Sequence, residues 1–206
     1  MALVKASGQQ ILPLREPAVR DLATLLADLA AAEPSVRRAA ARDLAVHPEA
    51  AMDMCDRLGI EFSPSVRAVL FTTLIHLQSS AVAARLAAFL RSEDAPLRNA
   101  AVEALQEMPE AVAPHVQELL ADDDSDVRIF AVNILATLCH PRTPEWLAGV
   151  VRSDPHINVC AAAVDGLAEV GGPEVLTDIE KLRRRFEGNA FMEFAIDAAM
   201  RRIRGQ

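Results

Sequence analysis

The sequence predicts an all-α fold, a right-handed α-solenoid of about five two-helix repeats with capping helices at its ends. Two observations carry this prediction. The chain of 206 residues is 51% apolar yet holds only 8 Gly and no Tyr, so its core is built from Ala, Leu, Val and Ile, a composition that favours helices. One helical phrase also recurs along the chain at a nearly fixed period, and a second apolar stripe follows each copy.

The recurring phrase is clearest in "SDVRIFAVNILATL", residues 125–138. We anchor each copy on the apolar residue that precedes an Arg in the best copies, and successive anchors lie 30 to 32 residues apart. A Leu follows eight residues after each of the first five anchors. This period predicts one packing surface used in every layer, because a two-helix unit cannot bury both of its apolar faces alone. The predicted anchors are Val36, Val66, Leu97, Val127, Val159 and Phe191.

Two helices are expected in each repeat. An unpaired B helix over residues 17–31 comes first and caps the N-terminal end. In each repeat a first helix, A, begins near the anchor, and a second helix, B, follows a break that often carries Pro and Glu, which favour helix starts. We expect a flexible segment over residues 1–14 and a single repeat domain over residues 15–206. The breaks read "HPEA" from His47, "QSSA" from Gln78, "MPEA" from Met108, "HPRTPE" from His140 and "GGPE" from Gly171.

The phrase resembles a known repeat family. In "DDSDVRIFAVNIL" and "DAPLRNAAVEAL" an acidic residue is followed by an apolar residue, Arg, small residues and Leu, a pattern similar to the HEAT-like repeat of phycobilin lyases. The resemblance covers residues 17–200 and implies a HEAT-like solenoid whose B helices line the concave surface. It implies less about function, because similar repeats serve lyases, scaffolds, a DNA glycosylase and a di-iron hydroxylase.

Charge and cysteine content narrow the function classes. The net charge of −8 argues against a nucleic-acid partner, because phosphate binding needs clustered Lys and Arg. Residues 181–206 are the exception, with seven basic and three acidic residues, which suits either an acidic partner, lipid head groups or a solvated helical cap. Three widely spaced cysteines indicate reduced thiols, and no run of about 18 apolar residues occurs, so we expect a cytoplasmic protein without a membrane partner.

Enzyme and cofactor signals are weak. The "CH" pair Cys139–His140 and the pair His156 and Cys160 superficially suggest zinc, but a helix of about 12 residues would separate the two cysteines by roughly 18 Å. None of the five histidines is followed by Glu, as the ligands of the similar di-iron enzymes are. The chain also lacks a Gly-rich phosphate loop and a G-x-S-x-G motif. We therefore expect no catalytic residue, no metal and no cofactor.

An arginine ladder follows the repeat itself. Three of its members have an acidic residue four positions earlier, a spacing that puts both groups on one helical face. The ladder is either an anion-binding track or a structural tie between layers, and its regular period favours the structural tie. Its members are Arg37, Arg67, Arg98 and Arg128.

One column on the B helices does not repeat. It lies five residues before the last apolar residue of each B helix, where a side chain should face away from the core. Variation at an otherwise regular surface position is typical of a partner-specific groove, and Trp and Arg are enriched in binding hot spots. The alternative is that Trp146 packs on its own core stripe beside Leu147 and Val150. The candidate partner-binding residues are Asp53, Arg85, His115 and Trp146, flanked by Thr24 and Thr177.

These observations predict a non-enzymatic, cytoplasmic protein-binding scaffold or adaptor that holds an unidentified protein along its concave face. The alternative implied by the resemblance is a phycobilin-lyase-like lyase or chaperone that handles a tetrapyrrole. A DNA-binding solenoid is a weaker third interpretation, and the acidic charge of residues 1–180 disfavours it.

Overall fold

The computed structural model describes residues 20–205, and all regular structure in that range is helical. The N-terminal segment predicted over residues 1–14 lies outside the described residues. The α-helices of residues 20–205 are α1 (Leu22–Leu29), α2 (Pro34–Asp43), α3 (Ala51–Ile60), α4 (Pro64–Leu77), α5 (Ser80–Ala88), α6 (Ala95–Gln106), α7 (Pro109–Val112), α8 (Val116–Leu120), α9 (Ser125–Thr137), α10 (Thr143–Ser153), α11 (Ile157–Val170), α12 (Leu176–Arg185) and α13 (Ala190–Ile203).

The helices stack in two rows, as the period predicts. The A helices α2, α4, α6, α9, α11 and α13 each pack on the next. The B helices α1, α3, α5 and α7 form the second row, and α10 and α12 continue it. A single apolar core runs between the rows from Leu25 to Met200. The predicted all-α solenoid is confirmed.

Local chemistry explains where the A helices begin. A Pro stands in the first turn of α2, α4 and α6, where its missing N–H removes no helical hydrogen bond. The acidic residue of the repeat phrase is the N-cap. The Asp94 carboxylate accepts a hydrogen bond of 3.1 Å from the backbone N–H of Leu97, and Asp124 accepts one of 2.8 Å from that of Asp126. The acid thus satisfies free N–H groups at the helix start.

In the last A helix, α13, the structure differs from the predicted anchor. Phe191 is 60% exposed, whereas Met192 is fully buried. Met192, Ile196 and Met200 repeat the core spacing that Val127, Ala131 and Leu135 have in α9. The N-cap agrees, because Asn189 accepts a hydrogen bond from the N–H of Met192. The sixth anchor is therefore Met192, and the prediction of Phe191 was wrong by one residue.

The B row is interrupted in its middle. Pro114 lies in a 3₁₀ turn, Ala113–His115, that separates α7 from the five-residue helix α8. Proline inside a helix removes one backbone hydrogen bond and clashes with the preceding turn, which accounts for the break. The following B helix, α10, packs on α12 but not closely on α8, and a polar groove of about 690 Å³ lies between α8 and α10.

A chain that ends at residue 172 lacks α12 and α13 and exposes the faces of α10 and α11 that these two helices cover. We expect this truncated protein to aggregate or to lose its sharp thermal transition, because end repeats keep a solenoid soluble. Gel filtration and thermal circular dichroism against the full chain measure both effects. A monomeric truncated protein that melts in one sharp transition would contradict the capping role of α12 and α13.

Candidate partner-binding surfaces

The arginine ladder ties each layer to the next. The Arg37 guanidinium donates two hydrogen bonds to the Glu61 carboxylate, from Nε at 2.7 Å and from Nη2 at 2.8 Å. Arg67 donates to Asp94 at 2.6 Å, and Arg128 donates from Nε to Asp154 at 2.7 Å. In each of these three pairs the acid belongs to the loop that precedes a later A helix. The contacts agree with the structural interpretation of the ladder.

Glu61 is the most deeply buried member of this network. Its carboxylate also accepts hydrogen bonds from Arg57 and from the backbone N–H of Ser63. Burial raises the pKa of Glu61, but the hydrogen bonds from Arg37, Ser63 and Arg57 outweigh it and lower the pKa to about 2. Glu61 is therefore ionised at neutral pH and joins α2, α3 and α4.

Arg98 departs from the pattern. Its guanidinium donates to the Ser92 carbonyl at 2.8 Å and lies 5.4 Å from the centre of the Phe130 ring, a cation–π contact. All four ladder arginines thus bind groups of the protein itself. Because these guanidinium groups already contact groups of the protein, the geometry does not support the interpretation of the ladder as an anion-binding track.

The predicted B-helix column contains three accessible side chains. Asp53 is exposed and forms no ion pair with any residue of the described range. Arg85 is exposed and pairs with Asp56 on the preceding B helix. His115 is half-buried, with Nε2 at 2.9 Å from the Ser80 hydroxyl. Arg85 and His115 are therefore both held by contacts between layers. Whether this column binds a partner stays a prediction.

Trp146 does not share the exposed position predicted for the B-helix column. It is 3% exposed and belongs to the core, so the expectation that it faces away from the core was wrong. Its ring stacks on His140 with 4.6 Å between the ring centres, and the Arg142 guanidinium lies 5.1 Å from the ring centre. The loop before α10 folds over the indole, which the alignment of B helices could not show. The structure thus favours the alternative in which Trp146 is a core residue.

Cys160, one of the residues of the rejected zinc arrangement, forms hydrogen bonds within the protein. The buried Cys160 thiol donates to the Asp154 carbonyl at 3.2 Å and accepts a hydrogen bond from Arg185 at 2.8 Å. Burial raises the pKa of Cys160, although the Arg185 charge lowers it, and burial raises that of Cys55 to about 11. Within residues 20–205 no group of three or more His, Cys, Asp or Glu side chains is placed to hold a metal ion.

An apolar groove lies on the other row, between the outer surfaces of α11 and α13. We call it the A-side groove. It has a volume of about 550 Å³, six of its thirteen lining residues are alanines, and Ile129 of α9 also lines it. Two aromatic rings border it, Phe191 at 60% exposure and Phe194 at 68% exposure. The lining alanines are Ala161, Ala162, Ala168, Ala195, Ala198 and Ala199.

The rim of the A-side groove is acidic. Asp165 and Glu169 line it from α11, one helical turn apart, and Arg202 lines it from α13. Arg202 pairs with Glu169. Asp165 is exposed and has no ion-pair partner within residues 20–205. The groove therefore combines an apolar floor with an uncompensated negative charge.

Several basic side chains of residues 181–206 bind groups of the protein itself. Arg183 pairs with Glu180 at 3.0 Å and with Asp197, and Lys181 pairs with Asp178 at 2.8 Å. Arg185 donates to the Arg152 carbonyl at 3.0 Å. These contacts fit the interpretation of α12 and α13 as a helical cap.

The sequence contained a signal for the A-side groove that the repeat alignment concealed. In "NAFMEFAIDAAM" the two phenylalanines lie three residues apart and therefore on one side of a helix, while Met192 begins the core stripe. The repeat period predicts Phe191 for the core and therefore hides this exposed pair.

No helix within residues 20–205 combines the length and apolar character needed to cross a membrane.

The model of the family described as HEAT repeats matches residues 53–128 and 112–187, which is more than half of the chain. An uncharacterized phycocyanin operon protein Z of Pseudanabaena tenuis is 38% identical over 107 residues, which cover 48% of this chain and 53% of that protein. The chain thus spans about half the length of this curated relative. Both matches confirm the repeat resemblance, and the chain belongs to the HEAT-repeat family.

Proposed function

We propose that this HEAT-repeat chain is a non-enzymatic, cytoplasmic protein-binding scaffold or adaptor. The observation that carries the proposal is the exposure of Phe191 and Phe194 beside the A-side groove. Aromatic residues are enriched in protein interfaces and are efficient anchors there, because one ring buries a large apolar area. The groove places both rings beside a concave apolar floor, where a partner covers them.

The proposed compartment rests on the thiols. All three cysteines are free, and Cys55 and Cys160 are buried without a disulfide. Free cysteines at wide spacing suit a reducing compartment. Their raised pKa values also mean that the two buried thiols are poor nucleophiles, which supports a binding role over a thiol-based activity.

A second candidate function is tetrapyrrole handling, as in the phycobilin lyases that the repeat resembles. The observation in its favour is the relative named as a phycocyanin operon protein. The acidic rim of the A-side groove weighs against bilin binding there, because bilins carry propionate carboxylates that Asp165 would repel. Co-expression with a bilin-producing pathway tests it: a purified protein that absorbs visible light supports tetrapyrrole handling, and a colourless one supports the protein-binding role.

Replacing Phe194 by Ala is expected to weaken capture of the protein partner by about tenfold or more, because hot-spot truncation costs about 2 kcal/mol or more. The measurement is quantitative mass spectrometry of proteins retained by the tagged chain from a lysate of its native host. Phe194 is 68% exposed, so the variant should keep the thermal stability of the wild type.

Phe62 provides the matched control. It is 89% exposed, and it lies between α3 and α4, away from the A-side groove. Phe62→Ala removes the same side chain and should leave capture unchanged. The variants Asp53→Lys and Arg85→Glu test the B-helix column in the same assay. Loss of the partner in these two variants, with full capture by Phe194→Ala, would assign binding to the B row and reject the A-side groove.

A further inference from the structure

We propose that the A-side groove holds an amphipathic α-helix of the partner, with an apolar face on Phe191 and Phe194 and a Lys or Arg that pairs with Asp165. This inference rests on the proposed function and deepens it by stating the chemistry of the occupant. Three features carry it: the shape of the groove, its small-residue floor and the charge of its rim.

The shape suits a helix. The groove lies between two packed helices, α11 and α13, and a third helix can seat its side chains in the depression between two others. Its lining on α13 extends from Phe191 to Arg202, a distance of about 16 Å along the helix axis at 1.5 Å per residue. That length matches about three helical turns, enough to present anchors at positions i, i+3, i+4 and i+7.

The floor permits close approach. Six of the thirteen lining residues are alanines of α11 and α13, and small side chains leave room for the larger apolar residues of an incoming helix. Phe191 and Phe194 stand at one end of this floor as the bulky border. Apolar side chains of the partner therefore pack against the two rings and over the alanines. An extended segment would leave its backbone N–H and C=O groups unpaired against this apolar floor, whereas a helix satisfies them internally.

The negative charge at the rim of the A-side groove favours a basic residue on the partner helix. Asp165 lies one turn from Glu169 on the same face of α11, and the pairing of Glu169 with Arg202 leaves the Asp165 charge uncompensated. A Lys or Arg on the partner helix can bind this carboxylate at the edge of the apolar contact, where a partner carboxylate would be repelled. The charge also disfavours a second copy of this chain, because a two-fold contact would bring two net acidic rims together.

The test is selection from a display library of random 16-residue peptides, carried out in parallel on the full chain and on Phe194→Glu. We expect peptides enriched on the wild type alone to carry apolar residues at helical spacing together with Lys or Arg. Representative peptides, labelled with a fluorophore, are then titrated by anisotropy against the wild type and against Asp165→Lys. Basic peptides should bind the Asp165→Lys variant at least about tenfold more weakly than they bind the wild type. Versions of these peptides with Lys replaced by Glu should bind the Asp165→Lys variant more tightly than they bind the wild type.

Glu118→Lys is the control for net charge, because Glu118 is an exposed acid on α8 of the B row. It should bind the peptides as the wild type does. Enrichment of acidic or proline-rich extended peptides, or no enrichment over Phe194→Glu, would overturn the helical, basic occupant. A wild-type dimer that dissociates in Phe194→Glu would assign the groove to a second copy instead. If the native partner is still lost on Phe194→Ala in those cases, the protein-binding role stands and only its occupant is rejected.

Discussion

Replacing Trp146 by Ala destabilises the protein by about 3–5 kcal/mol and leaves the partner affinity of the folded protein unchanged. The indole is 3% exposed, so its removal leaves a cavity in the core between α10 and the preceding loop. The mutation also removes the stacking on His140 and the contact with Arg142. Chemical denaturation gives the free energy of unfolding, and titration of the captured partner against the folded variant gives the affinity.

Trp146→Phe serves as the control for Trp146→Ala, because it keeps an aromatic ring in the same space and should lose less stability. The opposite result is informative. A stability loss below about 1 kcal/mol together with a loss of partner affinity would show that Trp146 contacts the partner, and it would restore the B-helix column of Asp53, Arg85 and His115 as the site.

Glu61→Gln is expected to destabilise the protein by about 3 kcal/mol at neutral pH, since it leaves the buried Arg37 guanidinium without its counter-charge. The effect depends on pH. The folded-state pKa of Glu61, about 2, lies below its ordinary value of 4.5. The ionised carboxylate therefore contributes stability that is fully present above about pH 5 and is lost as the pH falls towards 2.

The measurement is urea unfolding of the wild type and of Glu61→Gln between pH 7 and about pH 3. The difference in unfolding free energy should narrow as the pH falls from about 5 to 3, because Glu61 binds a proton in the unfolded chain there, where its pKa is near 4.5, while it stays ionised in the folded protein. Asp53→Asn is the control, since the exposed Asp53 makes no ion pair in residues 20–205 and its loss should change stability by less than about 0.5 kcal/mol. A constant difference across this pH range would show that Glu61 stabilises the fold by packing rather than by charge.

Much of the fold was predictable because each layer needs the same packing surface. The buried Val127, Ala131 and Leu135 recur at equivalent positions in other A helices, and three of the four ladder arginines bind an acid in the loop before the next A helix. The interruption of the B row was less predictable. Pro114 was visible in the sequence, but Pro also begins many helices here, so its position alone did not separate a helix start from a break.

The candidate site was harder to predict, because helical alignments are sensitive to single residues. A shift of one residue turns a side chain by about 100° around a helix. Assigning the sixth anchor to Phe191 instead of Met192 therefore placed an exposed ring in the core and concealed its pairing with Phe194. At Trp146 the error has another cause: the His140 loop covers the indole, and loop conformation leaves no periodic pattern.

The most direct test of partner binding in the A-side groove is site-specific photo-crosslinking in the native host. A photo-reactive phenylalanine analogue is placed at Phe194, at Phe62 or at Arg85, one position per variant, and crosslinked proteins are identified by mass spectrometry. We predict a covalent adduct with the partner from position 194 and none from positions 62 and 85. An adduct from position 85 together with none from position 194 would contradict the account and place the partner on the B row.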